Sequence, residues 1–71
     1  MKLHYYPETD SLYIDLAARP SVDSQEIGDG LVVDYDENGK IVGLDIQDAS
    51  KQLDLSTLEA ESLPVPLGKS A

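Results

Sequence analysis

The stretch from Leu31 to Ile46, LVVDYDENGKIVGLDI, constrains the fold of this chain more than any other. It places Asn38-Gly39 between two apolar-rich runs, and this dipeptide is the strongest short-range signal for a β-hairpin. Both residues tolerate a positive φ, which a two-residue type I′ turn requires at each central position. The sequence therefore predicts a hairpin with a type I′ turn at Asn38-Gly39.

The same turn predicts a register in which one face of the hairpin is wholly apolar. The expected cross-strand pairs are Tyr35 with Val42, Val33 with Leu44, and Leu31 with Ile46. A slip of one residue would place Gly43 and Asp45 on the apolar face, so burial favours the first register.

A second hairpin is predicted nearer the start of the chain, where apolar and polar residues alternate on both sides of Pro7-Glu8-Thr9-Asp10. Proline and aspartate are typical of turns. A hairpin closed around Glu8-Thr9 has four expected pairs, which are Tyr5 with Leu12, Leu3 with Ile14, Lys2 with Asp15, and His4 with Tyr13. Residues 21–27 alternate more weakly, which predicts a strand at the edge of the sheet.

Beyond Ile46 the pattern changes to short helical segments. Asp48 is expected to cap a helical turn over residues 49–53, and Ser56 with Glu59 forms a capping box for a helix over residues 57–62. Pro64 and Pro66 exclude its continuation. We therefore predict one domain over residues 1–63 and a flexible C-terminal tail over residues 64–71.

Together these patterns predict an α+β fold, in which a small antiparallel sheet of two hairpins, with four to five strands, carries a short C-terminal helix. The expected core consists of the apolar residues of one sheet face and two from the C-terminal segment: Leu3, Tyr5, Leu12, Ile14, Leu16, Leu31, Val33, Tyr35, Val42, Leu44, Ile46, Leu53 and Leu58.

Composition limits the classes of function. The chain has 71 residues, no Cys and a net charge of −9 from 14 acidic and 5 basic residues. A strongly acidic chain with scattered bases is unsuited to nucleic acid, whose binding depends on Lys and Arg contacts with phosphates. No segment has the length or hydrophobicity of a signal peptide or a membrane span, so we expect a cytoplasmic protein that does not bind membranes.

One motif has the spacing of a calcium-binding EF-hand loop. Asp34, Asp36, Asn38 and Gly39 occupy its first, third, fifth and sixth positions, and Asp45 stands at the twelfth in place of Glu. The flanking runs have the alternation of strands and no helical periodicity. The favoured interpretation is a solvated acidic face of a hairpin, and calcium binding is kept as the alternative.

No active site is indicated. His4 is the only histidine, and the nearby Ser11 and Asp15 do not project into a catalytic arrangement with it. The many carboxylates include no pair in apolar surroundings that would separate an acid from a base. We predict no catalytic, cofactor-binding or metal-binding residues, no cofactor and no enzymatic activity.

The chain resembles a known family in three successive segments: YYPETDSLYIDL, EIGDGLVVDYDENGKIVGLDI and QDASK. These are similar to the small prokaryotic domain of unknown function 2283, over about residues 3–53. The resemblance implies a bacterial protein. Members more often have Asp where this chain has Tyr6, and Glu where it has Asp45. The family has no established activity. Its genes sometimes stand beside small toxin-like genes, which implies an antitoxin-like binding role by association.

The predicted function is therefore a non-enzymatic protein-interaction module that forms a homodimer or binds a basic partner protein, through the second face of the sheet or through an open sheet edge. We expect self-association because the short helix leaves the second face of the sheet open. Its expected apolar and aromatic residues are Tyr6, Tyr13, Val32 and Ile41, with His4 beside them. Aromatic residues are enriched at the buried centres of interfaces.

Overall fold

A computed structural model describes residues 1–57, which form one five-stranded antiparallel sheet and a short helix. The elements are β1 (Lys2–Tyr6), β2 (Ser11–Asp15), β3 (Asp23–Gly28), β4 (Leu31–Tyr35), β5 (Ile41–Ile46) and α1 (Ala49–Gln52). The strand order is β1-β2-β5-β4-β3, so β1 and β3 are the edges and β2–β5 joins the two hairpins. The predicted sheet of two hairpins with an additional edge strand is confirmed, and the fold is mostly β.

The first hairpin has the predicted register. Leu3 pairs with Ile14, His4 with Tyr13, and Tyr5 with Leu12. The turn that closes it contains a hydrogen bond from the Thr9 N–H to the Tyr6 carbonyl at 3.3 Å. Asp10, the last residue of this turn, adopts the left-handed conformation with φ 53°.

The second hairpin has the predicted pairs Leu31–Ile46 and Val33–Leu44, but Tyr35 pairs with Ile41 through a β-bulge rather than with Val42. The predicted type I′ turn is wrong. Gly39 has a φ of 77°, but Asn38 is not in the positive-φ region, and the Asp36 N–H bonds the Lys40 carbonyl at 2.8 Å.

The loop is therefore the three residues Glu37-Asn38-Gly39, closed by a type I turn with a left-handed glycine. Its physical cause is the side chain of Asp36. One carboxylate oxygen accepts the N–H groups of both Asn38 and Lys40, at 2.8 and 2.9 Å, which holds the longer loop in place.

Helix α1 begins at the predicted position with Asp48 as its N-cap residue, but Asp48 does not cap the helix through its side chain. Asp48 lies in the left-handed region at φ 51° and its side chain makes no capping hydrogen bond. The predicted helix over residues 57–62, with its Ser56–Glu59 capping box, extends outside the described residues. Pro64, Pro66 and the predicted tail over residues 64–71 lie wholly outside them.

The core is narrower than predicted. Its buried apolar residues are Leu12, Val33, Val42 and Ala49, and most of the other predicted members are partly buried. Leu3, Tyr5 and Leu53 are 47%, 45% and 39% exposed, so their assignment to the core was wrong. The reason for the first two is that β1 is an edge strand, which has a neighbour on one side only. Leu58 lies outside the described residues.

Candidate interaction surfaces

An open apolar hollow lies on the face of the sheet that the sequence predicts as core. Its volume is about 720 Å³, and we call it the apolar hollow. Strands β1 and β2 and the segment that follows α1 supply its lining: Leu3, Tyr5, Leu12, Ile14, Leu53, Asp54, Leu55 and Thr57. Because Leu3, Tyr5, Leu53 and Leu55 are all more than a third exposed, this surface could receive another apolar surface.

A network around Asp10 connects the two sides of the apolar hollow. The Tyr5 hydroxyl donates to one Asp10 carboxylate oxygen at 2.8 Å, while the Ser50 hydroxyl donates to the other at 2.6 Å. The hydrogen bond to Asp10 raises the pKa of Tyr5. The Ser50 hydroxyl, with Tyr5 second, holds the pKa of Asp10 below its ordinary value. Asp10 therefore joins β1 to α1 and positions the segment that completes the hollow.

The opposite face of the sheet is dominated by Tyr13. Its side chain crosses Gly43 of the central strand β5, and its hydroxyl donates to Asp34 of β4 at 2.8 Å. A Cβ atom at position 43 would collide with this hydroxyl, so glycine is required for the crossing. The hydrogen bond to Asp34, followed by burial and the nearby charges of Asp34, Asp15 and Asp45, raises the pKa of Tyr13 to about 12.

This second face is therefore acidic around Tyr13. Asp34 also accepts a hydrogen bond from the Ser24 hydroxyl at 2.6 Å, so both of its carboxylate oxygens have donors. Of the residues expected to make this face apolar, Tyr6 and Ile41 are about half exposed and Val32 is partly buried. The structure thus separates an apolar face at the β1 edge from an acidic face centred on Tyr13.

The residues of the EF-hand-like motif lie on β4, on β5 and in the turn between these strands. Asp36 is buried and uses its carboxylate inside the hairpin. It accepts the N–H groups of Asn38 and Lys40, and its second oxygen lies 2.7 Å from Nε of Arg19. Within residues 1–57, no group of three or more His, Asp or Glu side chains is arranged to hold a metal ion.

His4 lies exposed on β1, opposite Tyr13. Of its two sequence-proposed neighbours, Ser11 accepts a hydrogen bond from the Thr9 hydroxyl at 3.0 Å, and Asp15 lies opposite Lys2. The register of the first hairpin places His4, Ser11 and Asp15 at these positions.

Three important residues were missed at the level of sequence. They are Asp10, which the sequence marked only as a turn residue, and Ser50 and Arg19, to which it gave no role. In the structure, the Arg19–Asp36 contact attaches the β2–β3 connection to the second hairpin turn. For the crossing of Tyr13 over β5, the sequence offered one usable signal, which is Gly43. A glycine inside a strand often marks the close approach of another group.

Residues 2–50 match the family model described as "Protein of unknown function (DUF2283)". The chain belongs to the DUF2283 family. The matched DUF2283 region contains all five strands and the start of α1, and therefore includes Asp10, Tyr13, Asp34, Gly43 and Ser50.

No curated protein and no solved structure shows significant similarity to this DUF2283 chain. In the described residues, no helix has the length and hydrophobicity needed to cross a membrane.

Proposed function

We propose that this DUF2283 protein is a non-enzymatic interaction module that forms a homodimer through the apolar face at β1. The observation that carries the proposal is the apolar hollow, where Leu3 and Tyr5 from β1 are exposed beside Leu53 and Leu55. A chain of 71 residues without Cys, Phe or Trp has little means of building a large core alone. Packing Leu3 and Tyr5 against a second copy would remove part of this apolar surface from water.

The distribution of charge supports this face over the opposite one. Each copy carries a net charge of −9, so two copies repel unless they meet where acids are few. Among the described residues that line the hollow, Asp54 is the one acidic residue, whereas Asp15, Asp34 and Asp45 all act on Tyr13 on the other face. A second copy is therefore better accommodated at the hollow than at Tyr13.

A basic partner protein, as in an antitoxin-like role, is the second candidate. It is favoured by the three carboxylates around Tyr13, which would complement positive charge. Calcium binding gains no support from the geometry. The oxygens of Asp34 and Asp36 accept hydrogen bonds from Tyr13, Ser24, Arg19 and two backbone N–H groups.

The test compares two single substitutions by sedimentation equilibrium of the full chain. Leu3→Glu places a charge in the hollow, and Ile27→Glu places one on β3, at the far edge of the sheet, where Ile27 is 56% exposed. We expect the parent and Ile27→Glu to be dimers and Leu3→Glu to be a monomer with an unchanged circular dichroism spectrum. Equal masses for the two variants would overturn the assignment of the interface.

A further inference from the structure

The outer edge of β1 has backbone groups that the sheet does not use. The Leu16 N–H donates to the Val42 carbonyl at 2.9 Å, and Leu12 and Ile14 lie opposite Ile46 and Leu44 of β5. In an antiparallel ladder, alternate residues direct their backbone groups to opposite neighbours. The backbone N–H and C=O groups of residues 12, 14 and 16 therefore form hydrogen bonds with β5, and those of residues 11, 13 and 15 form hydrogen bonds with β1.

The partners of residues 11, 13 and 15 in β1 are Tyr6, His4 and Lys2. These three residues direct their N–H and C=O groups into the sheet. By the same alternation, Leu3 and Tyr5 direct theirs outward, and within residues 1–57 no strand lies beside that edge. An unpaired edge of this kind is a template for pairing with another strand.

Charge distinguishes this edge from the other one. Among the five strands of the described chain, β1 is the only strand without an acidic residue, and it carries Lys2 and His4. The opposite edge strand, β3, carries Asp23 and Glu26. In a chain of net charge −9, a second copy meets the least repulsion at β1.

We infer that two copies pair through β1, antiparallel, about a two-fold axis that passes beside His4. This inference rests on the proposed function and specifies its interface. Leu3 of each copy lies opposite Tyr5 of the other, and their outward N–H and C=O groups form four hydrogen bonds. The two sheets become one sheet of ten strands, and the two apolar hollows lie side by side across the axis.

Other registers leave outward groups without partners. Pairing Tyr5 with its own copy would place Leu3 opposite Pro7, which has no N–H. Pairing Leu3 with its own copy would place Tyr5 opposite Met1, which precedes β1 and lies outside the strand. The Leu3–Tyr5 register uses all the outward groups of both strands.

A single cysteine tests the register, since the chain has none of its own. In the inferred dimer, His4 faces His4 of the second copy in a pair without backbone hydrogen bonds, with Cα atoms about 4.5 Å apart. That separation is within the range of a disulfide, roughly 4.4–6.8 Å. We expect His4→Cys to form a covalent dimer under mild oxidation.

Lys2→Cys is the matched control on the same strand and the same face. Its two copies would be separated by four residues along the strand, about 13 Å, which excludes a disulfide. If the parent is a dimer and both cysteine variants oxidise equally, the β1 pairing is overturned and self-association stands. If the parent is a monomer, the inference and the proposed function fail together.

Amide hydrogen exchange of the unmodified chain gives an independent test. Within residues 1–57 the N–H groups of Leu3 and Tyr5 have no strand partner in one copy, and they are hydrogen-bonded in the inferred dimer. We expect their exchange to slow as protein concentration rises through the dimerisation range, while Ser24 and Glu26 on the β3 edge remain unchanged. If the Leu3 and Tyr5 amides exchange without protection in a solution of dimers, the inference is overturned. This test does not depend on whether the His4→Cys variant associates.

Discussion

Asp10 of the first hairpin turn caps helix α1 at Ser50, forty residues later in the chain. Its carboxylate accepts the Ser50 N–H at 3.1 Å and the Ser50 hydroxyl at 2.6 Å, and its backbone carbonyl accepts the Ala49 N–H at 2.8 Å. The first N–H groups of a helix have no partner within it, so they need acceptors from elsewhere. Here the acceptor comes from the turn before β2, the strand that pairs with β5, and the helix therefore depends on tertiary structure.

The first prediction follows from this cap. Asp10→Asn removes the charge from the acceptor, and we expect the melting temperature to fall by about 5 °C. Asp48→Asn is a matched control, because Asp48 has nearly the same backbone conformation and no capping bond. Thermal unfolding followed by circular dichroism compares the two, and equal melting temperatures would show that Asp10 is not the cap.

Acid should weaken the fold through Asp36. The backbone N–H of Lys40, then Arg19 and the N–H of Asn38, hold the pKa of Asp36 below its ordinary value. A carboxylate with a lower pKa in the folded state stabilises the fold above its unfolded pKa, near 4, and this stabilisation is lost as the pH falls through the folded pKa.

Urea unfolding measured between pH 6 and pH 2 checks this prediction about Asp36. We expect the free energy of unfolding of Asp36→Asn to be lower than that of the parent at pH 6 and to depend less on pH below 4. Glu37→Gln, at an exposed neighbouring position, is the control. Parallel pH profiles for the parent and Asp36→Asn would contradict the role of Asp36.

At alkaline pH, the ionisation of Tyr13 should dominate the pH dependence of the stability of the fold. Its pKa of about 12 lies above the ordinary value of 10, so the folded state retains a proton that the unfolded state loses. The stabilisation is complete below pH 10 and is lost as the pH rises towards 12.

Tyr13→Phe tests this account, because it keeps the ring and removes the donor to Asp34. We expect a loss of about 1 kcal/mol at neutral pH and a flatter decline in stability above pH 10. Tyr6→Phe, at an exposed position on the same face, is the control. An identical alkaline decline in the parent and Tyr13→Phe would refute the prediction.

Gly39 should resist substitution because of its backbone conformation. Its φ of 77° is strained for any residue with a Cβ, so Gly39→Val should lower the free energy of unfolding by about 1 kcal/mol or more. Gly28→Val is the control, since a Cβ there meets nothing within 4 Å and its backbone has no positive φ. Chemical denaturation compares the two variants, and equal stabilities would contradict the observed turn.

The hairpins were predictable from sequence because their information is local. Alternation around Glu8-Thr9 and around Asn38-Gly39 determines which residues share a face, and burial selects the register. The turn type at Asn38-Gly39 was not predictable from that dipeptide alone. The side chain of Asp36, which lies outside the two residues, accepts two N–H groups and stabilises the longer loop.

The features that determine the candidate surface depend on contacts between distant segments. Alternation marks Leu3 and Tyr5 as apolar-face residues, but it cannot show that β1 is an edge strand and leaves them exposed. Likewise, no local pattern links Asp10 to Ser50 or Tyr13 to Asp34, which are separated by 40 and 21 positions. Strand order brings each pair together.

The mass of the full chain in solution tests the central claim, self-association, most directly. Sedimentation equilibrium should give twice the 7.7 kDa of one chain at tens of micromolar protein. Since two acidic chains repel, the fraction of dimer should rise as sodium chloride increases from about 10 mM to several hundred millimolar. A mass of 7.7 kDa at every concentration and salt level would contradict the account.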